Sequence, residues 1–282
     1  MTTLTTATTA KFATQLQSSL NWEIKTEEIM TASGLIIPDY KVISRDDNGT
    51  LLNVAKSTYT PTPNSRQIEV TERLSEMTGM KIAGYDEFKD GKIILSYLQA
   101  EENTKLMDWD MKNYMVIGNS HDGTTSFFIG TSDLMIRCMN QFSSVSQKMK
   151  AYHSKNNDVK IDQLLRYFQT YQQERLEVDQ KMERMQKVKI DEKIIVALTE
   201  RLFKMDSEEE KISTRKANLV ESFRESVSRE TADLGMNLFG LFHGVTHYTT
   251  HVSKAEKVFG NVIGHGSIMN KQAMEFADLV MA

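Results

Sequence analysis

After Pro63 the chain contains no proline, and between Gly130 and Gly235 it contains no glycine. Proline breaks a helix by removing a donor and glycine by its backbone freedom, so a stretch that lacks both is free to form long helices. From about Asn140 onward the chain is therefore read as helical. Ile161, Leu164, Leu165, Phe168 and Tyr171 recur at helical intervals, the Gln/Glu/Lys/Met-rich run that follows to Lys189 has high helix propensity, and Glu208 to Arg229 reads as a further, strongly charged helix. Long helices of this kind pack on a sheet, on one another, or across a subunit contact.

The first half is punctuated instead. Leu35 to Ser44, interrupted by Pro38, and Leu51 to Ala55 flank the turn residues Asp46-Asp47-Asn48-Gly49, which predicts a hairpin. Past Tyr59-Thr60-Pro61-Thr62-Pro63, Asn64 is placed to cap a helix bearing Ile68, Leu74 and Met77. Short apolar runs predict further strands at Lys81 to Phe88, Lys92 to Gln99 and Tyr114 to Gly118, with Ser126 to Ile129 paired to Leu134 to Cys138. The expected fold class is α+β: an antiparallel β-rich N-terminal half with one helix, then a long-helical C-terminal half. The expected divisions are a Thr- and Ala-rich tail (1–20) read as disordered, a β-rich core (21–140), and a helical region (141–282) packed on that core or mediating oligomerisation.

At 40% apolar and 8% aromatic residues the chain can fill a core without staples. Its single cysteine, Cys138, makes neither an internal disulfide nor a Cys-based zinc site, which points to a reducing compartment. The first ten residues carry no signal-peptide pattern, and no run approaches the roughly 18 apolar residues that span a bilayer, so the expectation is a cytoplasmic protein with no membrane contact. A net charge of −4 argues against a protein that coats duplex DNA by phosphate attraction alone. The distribution says more, because Lys148 to Lys189 holds 10 basic against 6 acidic residues, either a solvated helix face or a track for a polyanion.

Three motifs invite chemistry. Asn119-Ser120-His121-Asp122-Gly123, followed by Arg137-Cys138-Met139-Asn140, offers an acid–base or metal-ligand pair at His121 and Asp122, set against the plainer reading of an Asp-Gly turn in which Gly123 takes positive φ. Arg137 lies in an apolar run and needs a carboxylate or phosphate partner, while Cys138 reads as a small buried hydrophobe. His243, His247 and His251 follow at i, i+4 and i+8, a spacing that binds a metal only if the three rings converge, and packing histidines are the simpler account. Phe259-Gly260-Asn261-Val262-Ile263-Gly264-His265-Gly266-Ser267 lacks the Lys and the preceding strand of a phosphate loop. No cofactor is expected.

Several blocks together resemble the phage- and plasmid-borne family of the domain of unknown function 932. They are Gly34 to Tyr40 with Pro38, Tyr59-Thr60-Pro61 with Asn64, Asp90-Gly91-Lys92, Ser120-His121-Asp122-Gly123 leading to Arg137-Cys138 and Asn140, His153-Ser154 with Asn156, and Gly240 with Val245-Thr246, Tyr248 and His251. The likeness runs over roughly residues 20 to 280, with His247 standing where an acidic residue is expected. The resemblance implies a phage or plasmid setting beside replication and recombination genes, and an outline similar to that of phage single-strand annealing proteins; it brings no catalytic residues with it.

The leading functional expectation is an oligomeric, non-enzymatic protein that binds single-stranded DNA during recombination. Lys148, Lys150, Lys155, Lys160 and Arg166 would meet phosphates on a central helix, and Tyr152, Phe168 or Tyr171 would stack on bases. Two further readings are open: an accessory that binds a host or phage protein through its charged helices, as scaffold or defence inhibitor, and a nucleic-acid- or nucleotide-processing enzyme centred on His121, Asp122 and Arg137.

Overall fold

The computed structural model describes residues 17, 19–135, 140–144, 149–205, 213–253 and 264–282. The chain is α+β, with an antiparallel, sheet-rich first half that holds one helix and a helical second half. It divides into two compact units, one of Met1–Asn103, Lys112–Thr131 and Val145–Gln169, the other of Thr104–Met111, Ser132–Ser144 and Thr170–Ala282.

In the first unit β1 (Ile24–Met30), β2 (Ile36–Arg45) and β3 (Leu51–Lys56) form a three-stranded antiparallel sheet, with the expected hairpin between β2 and β3. A larger sheet has the order β10-β8-β7-β5-β4, from β4 (Lys81–Phe88), β5 (Ile93–Gln99), β7 (Trp109–Ser120), β8 (Phe127–Met135) and β10 (Lys150–Ala151). Central strand β5 is buried from Ile93 to Leu98, which is why it reads as an almost unbroken apolar run rather than an alternation. Gly118 on β7 leaves the space that the Phe128 ring fills, since a Cβ there would come within 2.1 Å of it. Leu20, Trp22, Ile43, Leu52, Tyr85 and Ile94 close a small core between strands.

Helix α1 (Asn64–Thr78) differs from its sequence reading. Pro63 is its N-cap, Asn64 belongs to its first turn, and the buried stripe is Asn64, Gln67, Val70, Thr71 and Leu74, while Met77 is half exposed. Three of those five side chains are polar, and each has a partner: the Gln67 amide donates to Ser96 Oγ (2.8 Å) and to the Ile117 carbonyl (3.2 Å) on neighbouring strands, the Thr71 hydroxyl donates to the Gln67 carbonyl of its own helix (2.8 Å), and the Asn64 amide donates to the Trp22 carbonyl (2.9 Å). A second difference lies in β8, which runs unbroken through Gly130 where two short strands were expected. Gly130-Thr131-Ser132-Asp133 has the composition of a turn, yet the strand continues through it, so strand pairing overrides the local turn preference.

In the second unit β6 (Thr104–Leu106) pairs with the start of β7, and β9 (Gln141–Ser144) pairs with β8. The rest is helical: the later part of α2 (Asn157–Lys187), then α3 (Glu192–Phe203), α4 (Thr214–Leu234), α5 (Leu238–His247), a π-helical turn (Tyr248–Val252) and α6 (His265–Met281). Asp191, Ser213 and Asn237 cap α3, α4 and α5 by accepting from Ile194, Lys216 and Gly240 backbone N–H groups. The core gathers Met185, Leu198, Phe223, Val227, Phe239, Val245, Tyr248 and Met269, with the Phe203, Phe223 and Tyr248 rings 5.4–6.0 Å apart. Gly244 lets α5 approach α4, because a Cβ would lie 2.6 Å from the Val227 Cα. No helix among the described residues is long and apolar enough to cross a membrane.

Candidate functional site

The end of β7 delivers Asn119, Ser120 and His121 into the first unit with no exposed surface. The Asn64 amide donates to the Trp22 carbonyl (2.9 Å), which turns its own oxygen toward His121. His121 Nε2 therefore donates to Asn64 Oδ1 (2.9 Å), and Nδ1 carries a buried lone pair with no hydrogen-bond partner among the described residues. Burial, helped by the His153 and Arg45 charges, pushes this imidazole down to about 3, so it is neutral. Asp122 does not join it. Its carboxylate accepts from Thr124 N–H (3.0 Å) and Thr124 hydroxyl (2.6 Å), and Gly123 follows at φ 74°. That is an Asx turn, and the structure does not bring His121 and Asp122 together as an acid–base pair.

A second histidine anchors the segment that follows β10. His153 Nε2 donates to the Thr125 carbonyl (3.1 Å), and Nδ1 accepts from the Thr62 hydroxyl (3.2 Å), which in turn accepts from the Asn157 amide. Burial lowers the His153 pKa against the opposing pull of its Thr125 bond and of Asp122, consistent with this neutral tautomer. The Asn119 amide donates to the Thr62 carbonyl (3.0 Å), and the Tyr59 ring lies 5.3 Å from His153. These polar links fix the backbone on both sides of Tyr152, whose own side chain is 67% exposed.

Around Tyr152 the basic residues are distributed over three kinds of structure. Lys150 is on β10, Lys155 in the turn before α2, and only Lys160 and Arg166 are on the helix itself. Six helical residues turn about 240°, so Lys160 and Arg166 face different sides of α2 and do not form one stripe. Lys160 reaches back to Ser154 Oγ (3.5 Å). None of Lys150, Lys155, Lys160 and Arg166 forms an ion pair among the described residues. The nearby acids are engaged by α1: Arg66 meets Asp158 (3.5 Å) and Asp162 (2.9 Å), and Arg73 meets Asp162 (3.8 Å). Lys148, Arg137 and Cys138 lie outside the described residues, as do the side chains of Phe168 and Tyr171.

In the second unit His243 is buried against Phe239, with ring centroids 4.4 Å apart, and burial lowers it to about 3. His247 lies 5.0 Å from the His251 ring and is lowered to about 4 by burial and by the His251 and Arg229 charges. No group of three metal-ligating side chains occurs among the described residues; His251 sits in the π turn, out of the α-helical repeat on which the three-histidine spacing relied. Asn140 is buried beside this helix and donates to the His243 carbonyl (3.4 Å). Asn140 and His243 line a cavity of about 20 Å³, sized for a water molecule rather than a metabolite.

Sequence reasoning passed over another cluster in the first unit. Arg45 lies over the Trp22 ring (4.1 Å) and pairs with Glu87 (2.8 Å) and Asp47 (2.8 Å), while Trp22 Nε1 donates to Glu87 (3.0 Å). Only the rarity of tryptophan signals it in the sequence. No curated protein and no solved structure matches the chain. The family model of the domain of unknown function DUF932 matches residues 51–273, most of the molecule and all of the sites just described beyond the first hairpin, and the chain belongs to that family.

Proposed function

We propose that the segment Lys150 to Lys160 binds single-stranded DNA, in the recombination or replication setting that the resemblance implies, and that the chain acts by holding strands rather than by cutting or joining them. The observation that carries this reading is an aromatic ring standing 67% exposed on an anchored backbone, between lysines that no carboxylate neutralises. Bases of any sequence stack on such a ring, and the lysines meet the phosphates. Arg66 and Arg73 contribute indirectly, since they draw off Asp158 and Asp162 at the start of α2. The buried, turn-bound geometry of His121 and Asp122 favours this binding role over chemistry at that pair.

The test is fluorescence anisotropy with a labelled oligonucleotide of mixed sequence. Tyr152→Ala is expected to weaken binding by about 1–3 kcal/mol. The triple change Lys150→Glu, Lys155→Glu, Lys160→Glu is expected to abolish it at moderate salt, and the wild-type affinity should fall with a log–log salt slope of about −0.7 per neutralised phosphate. Absence of binding at micromolar protein and low salt, or binding indifferent to salt, refutes the proposal.

A further inference from the structure

The three-stranded sheet extends into an arm whose outer end is uncovered on both faces. Lys25, Thr26, Glu27 and Glu28 of β1 are exposed in succession, and so are Ile36 to Tyr40 of β2. Because neighbouring side chains on a strand point to opposite faces, neither face is packed along Ile36 to Tyr40, whereas nearer the root Ile43 and Ser44, paired with Thr26 and Lys25, are buried. The arm carries Met30 (61% exposed), Leu35 (69%), Ile36 (50%) and Tyr40 (46%), an apolar concentration of the kind that marks a contact surface. Strand β1 is also an edge. It pairs with β2 alone, and among the described residues no strand pairs with its outer side, which leaves a row of backbone donors and acceptors open.

We infer that a second copy of the chain covers this edge, β1 pairing antiparallel with β1 about a twofold axis at Thr26. In an antiparallel ladder hydrogen-bonded and non-hydrogen-bonded pairs alternate, so a twofold pairing must set one residue opposite its own copy. Charge excludes three of the five positions from Ile24 to Glu28, and the extent of the ladder chooses between Ile24 and Thr26. Centring on Lys25 opposes two lysines, and centring on Glu27 or Glu28 opposes two glutamates, both destabilising cross-strand pairs. Centring on Thr26 sets Lys25 opposite Glu27 of the second copy, twice, and Thr26 opposite Thr26, which are favourable pairs, with Ile24 opposite Glu28 at each end of the ladder. The backbone agrees independently. A bulge between Glu28 and Ile29 limits the regular ladder of β1 to Ile24–Glu28, of which Thr26 is the centre. The same charges that forbid neighbouring registers, and so resist open-ended strand addition, admit this one. Beyond the ladder, Met30 comes level with Trp22 of the second copy, and the apolar tip of the arm lies along the other molecule.

The full-length chain, free of nucleic acid, is expected to dimerise with concentration in sedimentation or light scattering. Lys25→Glu and Glu27→Lys, each at an exposed position, should weaken the dimer at least about tenfold, and the double charge swap Lys25→Glu/Glu27→Lys should restore it. Thr26→Cys in a Cys138→Ser background, in which it is the sole thiol, should give a disulfide-linked dimer on oxidation, with circular dichroism confirming that each variant is folded. A chain that stays monomeric and does not cross-link overturns the inference, whether another protein or another part of the chain then covers β1. So does a dimer indifferent to both charge reversals. Neither outcome bears on oligonucleotide binding by Lys150 to Lys160, which is measured separately.

Discussion

His121 and His243 are each held neutral by burial, at about 3 against the usual 6.5. An unfolded chain takes up protons at these rings below pH 6.5, whereas the folded chain does not until about pH 3, so stability is full above 6.5 and is lost as pH falls through that window. Each ring should cost about 1.4 kcal/mol per pH unit in it. We expect urea denaturation between pH 7 and 4 to show this decline, and His243→Phe, which suits the Phe239 and Phe242 surroundings, to lessen its slope by about a third of the histidine contribution or less, because burial lowers His247 and His153 as well. An unchanged slope contradicts the assignment. His121 itself is conspicuous in the sequence because of the Ser120-His121-Asp122-Gly123 block, and the Asp-Gly turn is legible there too. Its partner is not. Asn64 reads locally as a helix cap, and only the approach of β7, 57 residues away, gives its amide oxygen another donor.

Among the elements, Gly244 separates local from tertiary preference most sharply. By helix propensity alone, Gly244→Ala should stabilise α5 by about 1 kcal/mol. The added Cβ would meet the Val227 backbone, so we expect the opposite sign, a loss of about 1–3 kcal/mol read as a lower denaturation midpoint. Element type and order are well legible, because proline and glycine punctuation and apolar period are local properties. The faces of elements are less so. The stripe of α1 mixes Asn64, Gln67 and Thr71 with Val70 and Leu74, and an apolar period cannot find a buried face whose polar groups are satisfied by a strand (Gln67), by distant chain segments (Asn64) and by the helix's own backbone (Thr71). The basic run after β10 likewise reads as one helical stripe, but the turn ahead of α2 spreads it over a strand, a loop and a helix.

At the scale of the whole molecule a net charge of −4 coexists with an unneutralised basic segment. On the proposed function, long-range repulsion by the acidic remainder should be felt more by a stiff duplex of high charge density than by a flexible single strand that bends onto Tyr152. A duplex of equal length is therefore expected to compete poorly with a labelled single strand in anisotropy at physiological salt. Equal competition would argue for contact with phosphates alone. By itself the sequence determined the α+β class, the order of a strand-rich half before a helical one and the charge distribution, since each follows from residue type and short-range spacing; the expected change at about Asn140 comes later, because the short strands Gln141–Ser144 and Lys150–Ala151 precede the helix at Asn157. Only the tertiary structure decided that Asp122 closes its own turn while His121 turns to Asn64, that Arg66 and Arg73 take Asp158 and Asp162 of α2, and that β1 is left as an open edge among the described residues. Those outcomes depend on which distant groups meet, and solvation and charge pairing act through space without regard to position along the chain.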